Sequence, residues 1–157
     1  MAVSPIPPGY HTVTPYLIID GAAGAIAWYA QAFNAREVMR LSAPGGRIGH
    51  AEIEIGDSRV MLADESPTVN ANAPGAFGGS PISPHLFVPE VDATMTQAAA
   101  AGATIKAPAE DKFYGERMGT LVDPFGHTWH ISTHIEDVSV QEIERRMAAI
   151  SAAGPSS

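Results

Sequence analysis

The order of periodic segments predicts an α+β protein made of two βαβββ modules followed by a further helix. Three observations carry this prediction: strands with alternating apolar residues, one helical stretch after the first strand of each set, and a repeat of the whole order further along the chain. Asp20 on Glu90, Gly49 on Gly119, Gly56 on Gly126 and Ser58 on Thr128 share an offset of 70, with only the helix ends slipping by two. One domain over 1–157 is expected, with module 1 at about 12–65, a loop at 66–81, module 2 at about 83–134 and the last helix at 139–150.

In chain order, Pro5, Pro7 and Pro8 make the first residues an unpatterned arm. Thr12 to Ile19 is rich in β-branched and aromatic residues and reads as a strand, which Pro15 confines to an edge or a bulge. Asp20-Gly21 opens a helix whose Ile26, Tyr29, Ala30 and Phe33 recur at helical spacing, and Asn34 ends it. Strands follow at 35–42, 48–55 and 58–63, the last two joined by a Gly56-Asp57 hairpin. In the third strand Ile53 and Ile55 share one face, and His50, Glu52 and Glu54 the other. Proline, glycine and asparagine over 66–81 suit only turns. Module 2 then reads as a strand from His85 to Pro89, a helix N-capped by Asp92 and stopped by Gly102, and strands at 104–107, 117–122 and 127–133. In the tail, Ser139 and Glu142 form a capping box, and Val140, Ile143, Met147 and Ile150 make an apolar stripe expected to dock on its own chain.

Composition narrows the function. The 157 residues include no cysteine, which excludes a disulfide framework, a thiolate nucleophile and Cys-ligated metal. A net charge of −8 with only two lysines, Lys106 and Lys112, argues against a nucleic-acid surface. No apolar run reaches the roughly 20 residues of a membrane span, and the first residues lack the basic and apolar regions of a signal peptide, so a cytoplasmic location without membrane contact is expected. No glycine-rich phosphate loop and no Ser-His-Asp order stands out.

The segments Thr14-Pro-Tyr-Leu-Ile-Ile-Asp20, Ala25-Ile-Ala-Trp-Tyr-Ala-Gln-Ala-Phe33, Gly49-His-Ala-Glu-Ile-Glu-Ile-Gly56, Phe113-Tyr-Gly-Glu-Arg117 and Asp123-Pro-Phe-Gly-His-Thr-Trp129 resemble the vicinal oxygen chelate superfamily. That superfamily includes glyoxalase I, bleomycin-resistance proteins and extradiol dioxygenases, and the chain looks most like its PhnB-like, glyoxalase-like branch. The resemblance implies curved sheets with helices on the convex side, a ligand cleft on the concave side, and a homodimer. It also implies that metal-dependent relatives carry a ligand on the first and the last strand of each module. Counting from Asp20 and Glu90, and from the Gly56 and Gly126 turns, puts those positions at Val13, Ser83, Val60 or Met61, and His130, and only His130 is a useful ligand. His11 and His85 lie two residues from the counted first-strand positions, on the same faces.

The expected function is therefore binding of a small molecule without the family's metal set, needing no cofactor. The alternative is a lyase or dioxygenase using one divalent metal ion. The expected ligand-binding residues are His50, Glu52, His85, Phe87, Tyr114, Arg117 and His130, with no metal ligand assigned. Imidazoles on a concave apolar wall orient a ligand. Arg117 offers a fork for a substrate carboxylate, unless Glu116 or Asp123 takes it.

Overall fold

The computed structural model describes residues 3–154. Its elements are β1 (Tyr16–Ile19), α1 (Ala22–Phe33), β2 (Arg36–Ala43), β3 (Arg47–Ile55) and β4 (Ser58–Asp64), then β5 (His85–Phe87), α2 (Val91–Ala100), β6 (Thr104–Asp111), β7 (Glu116–Val122), β8 (Thr128–His134) and α3 (Val140–Ala153). The α+β class and the two βαβββ modules are as the sequence predicts. The strands form two four-stranded mixed sheets, ordered β1-β4-β3-β2 and β5-β8-β7-β6. Strand β1 starts later than its composition suggests, because Pro15 has no N–H to donate and contributes only its carbonyl, to Met61 N. None of the helices among the described residues is long and apolar enough to cross a membrane.

Both helices are capped from across their sheets. Gly21, in the left-handed conformation, precedes α1, and Asp64 at the end of β4 accepts from Gly21 N at 3.0 Å and Ala22 N at 2.9 Å. Its other oxygen accepts from Ile48 N at 2.6 Å. Burial alone raises the Asp64 pKa, but these three N–H donors and Arg47 outweigh it and hold the carboxyl below its ordinary value. In module 2 the same task falls to Thr133, whose Oγ1 accepts from Val91 N at 2.9 Å. Helix α2 thus begins two residues earlier than expected, with Glu90 at the cap, and Asp92 lies inside the first turn.

The modules join through their helix-bearing faces. Trp28, Tyr29 and Phe33 of α1 pack with Trp129 of β8 and Phe125, and ring centroids of Phe33 and Trp129 are 5.0 Å apart. Within this core Asp123 is buried, accepting from Tyr29 Oη at 2.6 Å, Trp129 Nε1 at 3.0 Å and the N–H groups of Phe125 and His127. Trp28 Nε1 donates to Ala101 O, and Gln97 of α2 donates to Gln31 O and Asn34 on the first module. Burial, then the Asp123 charge beside it, pushes the Tyr29 phenol well above its ordinary value. The unfolded chain therefore loses this proton near pH 10 while the folded chain keeps it, and stability falls as pH rises past that point. Titrating urea stability from pH 8 to 11 is expected to show a decline of about 1.4 kcal/mol per pH unit above roughly pH 10 from this group. Tyr29→Phe removes that component, and an unchanged slope in the variant contradicts the assignment.

The repeat holds, with a different register from the one counted on glycines. Tyr16 pairs with Met61 in the parallel β1–β4 ladder and His85 with His130 in β5–β8, so equivalent residues there are 69 apart, as are the caps Asp64 and Thr133. The Gly56-Asp57 turn joins β3 to β4 directly, whereas residues 123–127 separate β7 from β8. These extra residues shift the count by one, while the faces stay as alternation predicts, with Ile53, Ile55, Trp129 and Ile131 buried in the core. Residues 66–81 contain two short 3-10 turns, Pro67–Val69 and Pro74–Phe77. Ser139 caps α3 through Glu142 N as expected, but the apolar stripe does not dock: Val140, Met147 and Ile150 are exposed and no residue of α3 is buried. Helix α3 is held mainly by Arg146, which binds Glu136 and donates to Phe113 O.

Candidate ligand-binding faces

Alternation along the strands leaves one face of each sheet free of helix, and a polar cluster forms on each. On module 1, Tyr16 Oη lies 2.8 Å from His50 Nδ1, and His50 Nε2 lies 3.3 Å from Glu52 Oε1. The other Glu52 oxygen accepts from the hydroxyl of Tyr10, which the N-terminal arm carries over the sheet. Glu52 is buried, and the Tyr10 hydroxyl, with help from His50 and Arg59 against desolvation, holds its pKa below the ordinary value. Arg59 completes the cluster. Its guanidinium carbon is 5.8 Å from the Tyr10 ring centre, and one nitrogen is 3.3 Å from Glu54, which also pairs with Arg36.

On module 2, His85 Nε2 lies 2.5 Å from Ser132 Oγ and 3.3 Å from Glu116 Oε2, while Ser132 donates to Glu116 at 2.8 Å. His130 Nδ1 is 3.0 Å from Thr120 Oγ1, and the His130 and His85 rings are 6.1 Å apart. Phe87, exposed, has its ring centre 4.7 Å from that of His85, with the two rings tilted by 31°. Tyr114 sits in the turn before β7 with its hydroxyl 3.5 Å from Met118 Sδ, and burial, then Glu116, raises its pKa.

The structure thus places His85, Phe87, Tyr114 and His130 around the module 2 face and His50 and Glu52 on the module 1 face, with no hydrogen bond described above linking the two clusters. Arg117 joins neither. It points toward α2, where Asp92 takes the guanidinium fork at 2.7 and 2.8 Å and Asp111 a third nitrogen at 2.9 Å. The expected partners Glu116 and Asp123 are engaged elsewhere, Glu116 because alternation turns it to the opposite face from Arg117. Tyr10, Tyr16, Arg59, Glu116 and Ser132 were not foreseen. Residue spacing on paired strands was the available signal for Glu116 and Ser132; nothing in the arm marked Tyr10.

Between the modules runs a groove of about 760 Å³, bordered by the Gly56-Asp57 turn, the arm at Val13–Pro15 and strand β5. Phe33, Leu86 and Trp129 give it apolar walls, and Arg36, Glu54 and Arg59 charged ones. His85 and Phe87 line both this groove and the module 2 face; the other five expected residues do not line the groove.

The residues do not fit the metal set of metal-dependent relatives. The positions equivalent by strand register are Tyr16 and Met61 in module 1 and His85 and His130 in module 2, so only module 2 offers nitrogen donors. Among the described residues, no three His, Asp or Glu side chains are grouped to hold an ion. The sequence count had put Ser83 rather than His85 beside His130.

Two sheets of this order, each with a helix behind and an open polar face in front, define a two-module α+β protein of the glyoxalase type. Residues 10–131 match the model of the Glyoxalase/Bleomycin resistance protein/Dioxygenase superfamily, and the chain belongs to that superfamily. It is 38% identical over 140 residues to an uncharacterized protein of Mycobacterium bovis, covering 87% of this chain and 92% of the relative. Among solved structures it is similar to TioX from Micromonospora sp. ML1, with a TM-score of 0.62, 26% identity and coverage of 82% of this chain and all (100%) of that one. The PhnB protein from Bacillus cereus shares the fold at a TM-score of 0.61 and 17% identity, covering 78% of this chain and 99% of that one.

Proposed function

We propose that the protein binds a small organic molecule, without a metal ion, at the module 2 face and the groove that opens beside it. The observation supporting this is the arrangement at β5: His85 and Phe87 stand between an apolar-walled groove of about 760 Å³ and a second imidazole, His130. A mostly apolar hollow with a few convergent polar groups suits a small ligand. The phenylalanine supplies a stacking surface, and the imidazoles donate to or accept from the ligand. The net charge of −8 favours a cationic one at long range. The protein is read as a cytoplasmic homodimer. Exposed apolar side chains outside the ligand site, such as Val13, Leu41 and Ile82, are available to a subunit contact.

Screening cationic glycopeptides and aromatic acids by thermal shift is expected to yield a stabilising ligand, whose effect grows with concentration as mass action requires. His85→Ala and Phe87→Ala are each expected to weaken binding of that ligand about tenfold or more; Phe87→Ala is expected to leave the unliganded melting temperature nearly unchanged because its side chain is exposed, whereas His85→Ala also gives up the contact to Ser132. Treatment with EDTA is expected to leave ligand binding intact. Loss of binding with the chelator, restored by one equivalent of a divalent ion, overturns the metal-free reading in favour of metal-dependent chemistry.

A further inference from the structure

We infer that the helix-free face of module 1 is a binding subsite for phenolic compounds, and that Tyr10 occupies it as a ligand carried by the chain itself. This goes beyond the small-molecule reading above, which concerns the module 2 face and the groove. The arm has no regular secondary structure before β1, and most of its residues are exposed. Tyr10 nevertheless reaches the sheet and makes two contacts of the kind that recognise a phenol: its hydroxyl donates to the buried carboxylate Glu52, and its ring lies against the Arg59 guanidinium. Gly9 permits the approach. Its φ is +84°, and a Cβ there would sit 3.3 Å from Arg59 Nη2.

The cluster beneath is incomplete with Tyr10 in place. Arg59 Nε and Nη1 are buried with no hydrogen-bond partner, although Arg59 is closed in by the arm and by Glu54. A buried donor left without a partner is unfavourable, and tyrosine has no acceptor beyond its hydroxyl to offer. A free phenol with a carbonyl substituent keeps the hydroxyl contact to Glu52 and brings an acceptor to these nitrogens. His50 and Tyr16 support the carboxylate from its other side. An arm tethered a few residues from the sheet competes with any such ligand, since the apparent affinity falls with the fraction of molecules whose site is open.

The test compares 4-hydroxybenzamide with benzamide, two neutral probes that differ in the hydroxyl, on the full-length wild type and on Tyr10→Ala, by calorimetry and by amide chemical shifts. Tyr10→Ala is expected to bind 4-hydroxybenzamide about tenfold more tightly than the wild type does, as removal of a competing strap predicts. Its affinity for benzamide is expected to be weaker by at least the same factor. In the wild type, saturating 4-hydroxybenzamide is expected to move the Gly9 and Tyr10 amides toward unstructured values. A second variant, Tyr10→Ala with Glu52→Gln, is expected to lose the preference between the two probes while keeping its fold by circular dichroism. Equal affinity of wild type and Tyr10→Ala, or equal affinity of both probes for Tyr10→Ala, overturns the inference. If other ligands shift His85 and His130 while this outcome is found, the small-molecule reading stands without the phenol subsite. If no ligand shifts either face, both are rejected.

Discussion

Asp123→Ala is expected to lower the melting temperature by about 8 to 16 °C, corresponding to a loss of about 4 kcal/mol. The carboxylate is buried where the two modules meet and accepts from four donors: Tyr29 Oη, Trp129 Nε1, Phe125 N and His127 N. Alanine leaves all four without an acceptor in an apolar core, each costing about 1–3 kcal/mol if unrelieved, less than additively because they share one site. Asp123→Asn keeps one acceptor oxygen for the two backbone N–H groups but turns an amide N–H₂ toward the indole N–H, so a loss of about 2 kcal/mol is expected. Trp129 sits beside the altered group, and its fluorescence is expected to report the same transition as circular dichroism. A melting point within 2 °C of wild type for Asp123→Ala, a change of about 1 kcal/mol or less, refutes this account of how the modules are joined.

The second large effect is expected at Gly115→Ala, about 3 kcal/mol, with a different signature. Gly115 has φ +93°, where an L side chain is strained by about 1–2 kcal/mol. A Cβ there also falls on the Glu136 carbonyl oxygen and lies 2.9 Å from Val138 Cγ2. Overpacking of this kind costs about 1–3 kcal/mol unless the backbone moves. The segment that must move is held by Ile135 N and Glu136 N, both donating to Gly115 O. Hydrogen exchange at Ile135 and Glu136 is therefore expected to accelerate in Gly115→Ala, and α3 to loosen with them, because Arg146 anchors that helix partly to Glu136. The Tyr29–Asp123–Trp129 core lies elsewhere and is expected to keep its near-ultraviolet spectrum. If protection at Ile135 and Glu136 is unchanged, the contact does not hold the tail.

Much of the fold was legible because its elements are local. Alternation from Ile48 to Ile55 places Ile53 and Ile55 in the core and His50 and Glu52 on the other face, as the structure has them. Helix α1 ends at Asn34, which takes the left-handed conformation expected there. The helix starts were less legible, since their caps, Asp64 and Thr133, come from the far end of each module. Register failed for a similar reason. Counting back along the chain from Glu90 gives Ser83, but what stands beside His130 is set by the parallel β5–β8 ladder, which pairs it with His85.

For the candidate site, the strand residues His50, Glu52, His85, Phe87 and His130 were reached by face alone, and face does not give distance. Arg117 shows the limit: its charge suited a ligand, but its side of β7 belongs to Asp92 and α2. Tyr10 shows the converse, an arm residue without a pattern that reaches Glu52 through chain reversal. The sequence by itself determined the two modules, the strand faces and the family, because hydrophobic period and turn chemistry act over a few residues. Only the tertiary structure decided which polar groups meet, which carboxylates occupy which arginines, and that the α3 stripe is left uncovered. Those outcomes depend on strand register and module packing, which join residues far apart in the chain.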